Sequence, residues 1–141
     1  MARSRLKAVG RRDSGTFVPL LTAILQSVNF QTLSPNAKNL FLCLLSQLNF
    51  GEGGTRNNGD LCATHTIAKK WGIASKETLK KVIDELLERG WIEQTRVVVF
   101  STGDRNKANL YAITYLAIDD CGGKLTATRA PSSKWKQWIP N

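Results

Sequence analysis

Apolar residues change their spacing along this chain, and each change marks an expected element. Residues 1–16 are polar, basic and aperiodic, which predicts a mobile arm with nothing to bury. From Val18 to Phe30 the positions Leu20, Leu21, Ile24, Leu25 and Val28 recur at helical spacing, so a short amphipathic helix packed on the domain is expected. Ser34 stands before Pro35, a side-chain cap followed by a residue whose missing N–H costs nothing in a first helical turn. Leu40, Phe41, Cys43, Leu44, Leu45 and Leu48 then make that helix apolar around most of its girth, the pattern of a central scaffold. The stretch GEGGTRNNGD, Gly51 to Asp60, is so rich in residues that tolerate positive φ that a loop without regular structure is expected.

Leu61 to Ala63 reads as a short strand, and Thr64 as the cap of a helix running to about Trp71 with Ile67 and Ala68 turned inward and Gly72 ending it. After the linker GIA, Ser75 caps a further helix. Its apolar set Leu79, Val82, Ile83, Leu86 and Leu87 follows the i, i+3, i+4, i+7, i+8 rule throughout. Gly90 is placed to end it as a left-handed cap. WIEQTRVVVF, Trp91 to Phe100, is rich in β-branched and aromatic residues and reads as a strand. Ser101 to Asn109 reads as a hairpin loop, and LYAITYLAI, Leu110 to Ile118, as an alternating return strand. Beyond Cys121 the chain is polar apart from Trp135, Trp138 and Ile139; packing is the expected use of the two tryptophans.

A length of 141 residues suits one domain able to bury a core without disulfides or metal. Three cysteines, Cys43, Cys62 and Cys121, form no disulfide framework, which points to a reducing, cytoplasmic compartment. The basic start followed by FVPLLTAIL mimics a signal peptide. Pro19 and Thr22 interrupt that run, and it is far shorter than the roughly 20 residues a span needs, so no membrane partner is expected. Twenty Lys plus Arg against eleven Asp plus Glu give a net charge of +9, which favours a polyanionic partner.

The stretch TIAKKWGIASKETLKKVIDELLERGWIEQ resembles the winged helix-turn-helix family, with Ala68 and Gly72 as the small residues of helix and turn and Gly90–Trp91–Ile92 beginning the wing. The likeness spans about 34–115. NNGDL and LYAITYLAIDDCGGK are similar to short helix-turn-helix proteins of bacterial chromosomes, phages and plasmids. The resemblance implies an α+β fold, mainly helical, with a helix-turn-helix at about 64–89 and a C-terminal β-hairpin wing at about 91–116. The domain would occupy 17–118, between the arm 1–16 and a tail 119–141. It also implies that the second helix of the pair enters a DNA major groove while the wing touches adjacent backbone or minor groove.

The lysines suit that implication. Lys69, Lys70, Lys76, Lys80 and Lys81 flank one turn, and with the apolar stripe inward Glu77, Lys81, Asp84 and Glu88 point outward. Asp84, Glu85 and Glu88 would repel phosphate, so only the amino-terminal half, with Ser75 and Thr78, is expected to meet DNA, where the helix dipole also favours phosphate. The plain alternative is a solvated face, since Glu77 and Lys81 form an i, i+4 pair worth roughly 0.2–0.5 kcal/mol. Glu77 is read as an ordinary first-turn residue. Arg96, Arg105, Asn106 and Lys107 would be the wing contacts, and Arg3, Arg5, Lys7, Arg11 and Arg12 the basic arm.

No catalytic constellation emerges. Cys62 and His65 with Cys43 and Cys121 lack the paired spacing of a zinc site, and Cys43 reads as core. The glycine loop lacks the Lys-Ser/Thr ending of a phosphate loop, and no nucleophile has an evident base. The expectation is therefore a non-enzymatic protein without cofactor that binds double-stranded DNA as a transcriptional regulator. Replication or maintenance of a plasmid or phage is the nearest alternative. A protein-interaction module, or an inhibitor of a nucleic-acid enzyme, is another, motivated by the acidic half-face and the tryptophans. A homodimer stays open.

Overall fold

The structure, a computed structural model, describes residues 12–51, 53–96 and 108–141. Among the described residues it is α+β, with two small antiparallel sheets among the helices. The helices are α1 (Thr22–Leu25), α2 (Val28–Gln31), α3 (Pro35–Ser46), α4 (His65–Lys69) and α5 (Lys76–Glu88). The strands are β1 (Phe50–Gly51), β2 (Gly54–Thr55), β3 (Leu61–Cys62), β4 (Ile92–Arg96) and β5 (Leu110–Ile113), and a 3-10 turn, Lys134–Gln137, lies near the end.

The expected caps form. The Ser34 hydroxyl accepts from Ala37 N–H at 3.2 Å, Thr64 from Ile67 at 3.4 Å and Ser75 from Thr78 at 3.1 Å. Gly72 and Gly90 carry φ of +87° and +82°. Each places the next N–H on a carbonyl five residues back, Ile73 on Ala68 at 3.2 Å and Trp91 on Leu86 at 2.9 Å, the closing bond of a left-handed C-cap. α3 is the scaffold its pattern promised, with Ala37, Leu40, Phe41, Cys43, Leu44 and Leu45 buried. Leu79, Val82 and Leu86 of α5 are buried, with Ile83 and Leu87 packed against the same core.

Four expectations need correction. The segment Val18 to Phe30 is not one helix: the Ser27 hydroxyl donates to Ile24 O at 2.7 Å and accepts from Phe30 N–H at 3.1 Å, ending α1 and starting α2. Ile24 is buried there, whereas Leu21, Leu25 and Val28 are exposed. The Gly51–Asp60 stretch is not devoid of regular structure, since β1 and β2 pair as a minimal ladder, Phe50 with Thr55 and Gly51 with Gly54. The return strand stops at Ile113 and its burial does not alternate. β5 is the middle strand of the order β3-β5-β4, and all four of its residues are buried, with Tyr111 on the α5 side and Leu110 toward Leu125. Finally, Glu85 does not belong to the outward acidic face, because Ser34 takes up its carboxylate. Val97 to Phe100 and the hairpin loop as far as Lys107 lie outside the described residues.

Side-chain amides replace backbone partners where the sheet runs out. Asn58, fully buried, accepts from Ile113 N–H at 2.7 Å and donates to Ile113 O at 3.0 Å and Ala117 O at 2.9 Å. Gln47 clasps β3 in the same way, accepting from Cys62 N–H and donating to Cys62 O, both at 2.8 Å. The end of the chain folds back on the core. Trp135, as expected, packs: it stacks on buried Trp91 with ring centroids 5.1 Å apart and planes 8° apart, beside the edge-on pairs of Trp91 with Phe41 and Phe30. Among the described residues no helix is long and apolar enough to cross a membrane.

Candidate nucleic-acid interface

The turn between α4 and α5 is built from inside outward. Ala68 and Ile73, both fully buried, anchor its two sides in the core. The His65 ring reaches from the first turn of α4 to Ala74 O, Nε2 to oxygen 3.0 Å, and so ties the two ends of the bend together. Between these anchors the chain must leave a helix and re-enter another within a few residues, which the positive φ of Gly72 allows. Ser75 then opens α5. Besides capping Thr78 N–H, its hydroxyl donates to Thr78 Oγ1 at 2.9 Å, fixing the half-exposed Thr78 side chain at the first turn.

Around this bend Lys69, Lys70, Lys76, Lys80 and Lys81 are all exposed. The ion pairs among the described residues, Lys124 with Asp60 and Lys134 with Glu93, involve none of them, and Glu77 and Lys81 do not pair. The solvated-pair account of Lys81 therefore has no ion pair behind it. Farther along α5, Asp84 and Glu88 are exposed, but Glu85 accepts from Ser34 N–H at 2.8 Å and from the Ser34 hydroxyl at 2.7 Å. Its charge serves the amino end of α3, where helix N–H groups favour an anion.

A shallow groove runs between α5 and the sheet, floored by Leu79, Ile83, Leu87 and Tyr111 with Lys76 and Lys80 on its rim. Tyr111 has its pKa raised, chiefly by burial, with Asp84 adding to the rise and a hydrogen bond from Asn109 opposing it. Gln94 of β4 faces the same groove, but Arg96 does not. Two residues apart on a regular strand they would share a face. The register shift between Gln94 and Arg96 breaks that rule and sends Arg96 to a different cleft, beside Gly59, Lys124 and Leu125. There its Nε and Nη2 both donate to Ala108 O, at 3.0 and 2.7 Å.

The lysines of the two helices and Ser75 and Thr78 are thus brought together, and Arg96 is set apart from them. Arg12 is exposed and lies over the Phe17 ring, 4.9 Å from its centroid. Arg3, Arg5, Lys7, Arg11, Arg105, Asn106 and Lys107 lie outside the described residues. Sequence reasoning missed His65, Ile73 and Glu85 as supports of the bend and of α5. His65 carried the only usable signal, being a ring able to bridge to a carbonyl nine residues on.

Other chemistry is sparse. Among the described residues no three His, Cys, Asp or Glu side chains lie together as a metal site. The thiols of Cys43, Cys62 and Cys121 are all pushed up, first by burial, which leaves little thiolate at neutral pH. Comparison with protein-family models, curated proteins and solved structures returns no match.

Proposed function

We propose that this chain is a winged helix-turn-helix protein that binds double-stranded DNA through the amino-terminal half of α5 and regulates transcription. The observation that carries the reading is the cluster of five exposed lysines about the Gly72 bend, beside the capped end of α5 and without a carboxylate partner among the described residues. The order helix, strand, helix, turn, helix and paired strands, with β5 between β3 and β4, supports the winged-helix part. Helix N–H groups, dipole and ammonium groups at one end of α5 all favour phosphate there, while Thr78 is held where a base edge could meet it.

Titration of labelled duplex by fluorescence anisotropy across a range of salt tests this. Each ammonium–phosphate pairing removed should lower the slope of log K against log salt by about 0.9, so K76A/K80A/K81A should flatten it by up to about 2.7 and weaken binding. Duplex affinity indifferent to salt, or a triple variant that binds as the parent does, would reject the reading.

The α5 groove favours a second reading, docking of an acidic, apolar peptide against Leu79, Ile83 and Leu87 under the same lysines. Apolar substitution in the groove separates the two. Leu87→Gln should spare duplex binding in the first case and abolish partner binding in the second.

A further inference from the structure

The bulge that turns Arg96 away from α5 creates a cleft of about 230 Å³ between the Gly59–Asp60 turn, the end of β4, Leu110 and the Lys124–Leu125 turn. Two cations and one carboxylate meet there. Lys124 Nζ lies 3.3 Å from Asp60 Oδ2, and Arg96 is half-buried, with Nε and Nη2 on Ala108 O and no partner for Nη1 among the described residues. The thiols on either side register the same convergence. Beyond the effect of burial, Asp60 raises both Cys62 and Cys121, whereas Arg96 lowers Cys62 and Lys124 lowers Cys121. Of the rest of the lining, Leu110 and Leu125 are apolar and the Thr95 hydroxyl is taken up by Gly59 O. Leu125 can lie against the turn because residue 59 is glycine; a Cβ there would come within 2.6 Å of Leu125 Cδ1.

We infer that this cleft is a binding site for a small organic carboxylate, with the acid group on Arg96 and Lys124 and the apolar body against Leu110 and Leu125. Arg offers a planar fork of donors that matches a carboxylate, and its charge is screened less when half-buried than on the surface. With Asp60 present the cleft carries one net positive charge, which suits a monoanion and disfavours an amine. Its volume lies below the roughly 300–1,000 Å³ of pockets for drug-sized ligands, so the guest is small. Asp60 acts as a gate: its carboxylate occupies Lys124 until the ligand displaces it. The site stands whether or not the lysines of α5 bind DNA.

Hexanoate, 1-hexanol and hexylamine, alike in length and unlike in charge, are the probes. Each is titrated into the full chain at low salt while the methyl resonances of Leu110 and Leu125 are followed. Hexanoate should shift both methyls to saturation with at least tenfold higher affinity than hexanol, and hexylamine should bind more weakly still. Arg96→Gln should weaken hexanoate at least tenfold. Because Arg96 also holds Ala108, that variant could misfold, so the decisive variant is Asp60→Asn. Removing the competing carboxylate should tighten hexanoate at least threefold, a gain that structural damage cannot produce. Equal affinity for hexanoate and hexanol, shifts confined to other methyls, or an Asp60→Asn chain that binds no tighter would each overturn the assignment.

Discussion

The indole N–H of Trp91 donates to Oδ1 of Asn29 at 2.9 Å, joining the α2 turn to the residue that follows the Gly90 cap. Nδ2 of the same buried amide donates to Arg89 O at 3.0 Å and Trp135 O at 2.9 Å, so one side chain holds α2, the end of α5 and the returning 3-10 turn together. Asn29→Ala strips the Trp91 N–H and two carbonyls of their partners inside the core. An orphaned buried group costs about 1–3 kcal/mol, and a total loss of about 2–4 kcal/mol is expected in urea unfolding followed by tryptophan fluorescence. A loss below about 1 kcal/mol would mean that water reaches these groups and that the clamp is not structural.

Ser34 and Glu85 make a reciprocal link between the amino end of α3 and the middle of α5. The serine caps α3, and its own N–H and hydroxyl are taken by the carboxylate. Ser34→Ala should cost about 1 kcal/mol as a lost cap, more with the Glu85 bonds gone. The pair should couple: in a double-mutant cycle with Glu85→Ala, the combined loss should fall short of the sum by about 0.5–1.5 kcal/mol. Additive losses would show that the two side chains act separately.

Because Glu85 is engaged, the carboxylates left to repel phosphate in the second half of α5 are Asp84 and Glu88, both exposed. If duplex lies along α5, Asp84→Asn should raise affinity about two- to threefold at low salt, with a gain that fades as salt screens it. Glu88→Gln, a turn farther from the amino end, should raise it less. A larger effect at Glu88 than at Asp84 would place the nucleic acid at the wrong end of the helix.

Much of the frame was legible because its signals are local. Ser34 with Pro35, Thr64, Ser75, Gly72 and Gly90 each act on residues three to five positions away, and the α5 stripe repeats within one helix. What escaped notice depends on distant partners. Glu85 looks like any acid on a polar face until Ser34, 51 residues earlier, comes against it. Asn57 and Asn58 look like turn formers, yet Asn58 serves as the missing strand partner of Ile113, 55 residues on. The single helix expected over Val18 to Phe30 failed because a serine hydroxyl can cap as readily as it can sit within a helix, and periodicity does not weigh that competition. The alternation of Leu110 to Ile113 misled because both faces of β5 are covered, one on the α5 side at Tyr111 and the other toward Leu125 at Leu110. At the candidate interface the clustering of the lysines was legible and the fate of Arg96 was not, since one bulge reverses the face a residue takes.

The two C-cap glycines should differ in what they tolerate. Gly72→Ala meets mainly the strain of positive φ, roughly 1–2 kcal/mol, because the nearest atom to its new Cβ is Asn39 Nδ2 at 3.8 Å. At Gly90 the new Cβ would fall 2.5 Å from Lys134 O and 2.9 Å from Trp135 N, backbone atoms that cannot rotate away. Gly90→Ala should therefore lose about 1–3 kcal/mol beyond Gly72→Ala and displace the 3-10 turn, visible as quenching or exposure of Trp135. Equal losses would mean that the returning chain is not seated on Gly90.

Alkaline stability should be governed in part by Tyr115. Its hydroxyl donates to Pro19 O at 2.7 Å, and burial pushes its pKa up to about 12 from an ordinary value near 10. The folded chain thus prefers the neutral phenol more strongly than the unfolded chain does. The sign follows: this contribution is fully present below pH 10 and is lost as pH rises through about 12. Tyr111 is raised as well, chiefly by burial, so phenolate absorbance should rise late for both tyrosines and together with unfolding. Tyr115→Phe keeps the ring contact with Phe41 and removes the ionisation, while losing the bond to Pro19. It should lower stability modestly at pH 7 and flatten the decline between pH 10 and 12, read by urea midpoints across that range. A decline of unchanged steepness in Tyr115→Phe would assign the alkaline transition to other groups.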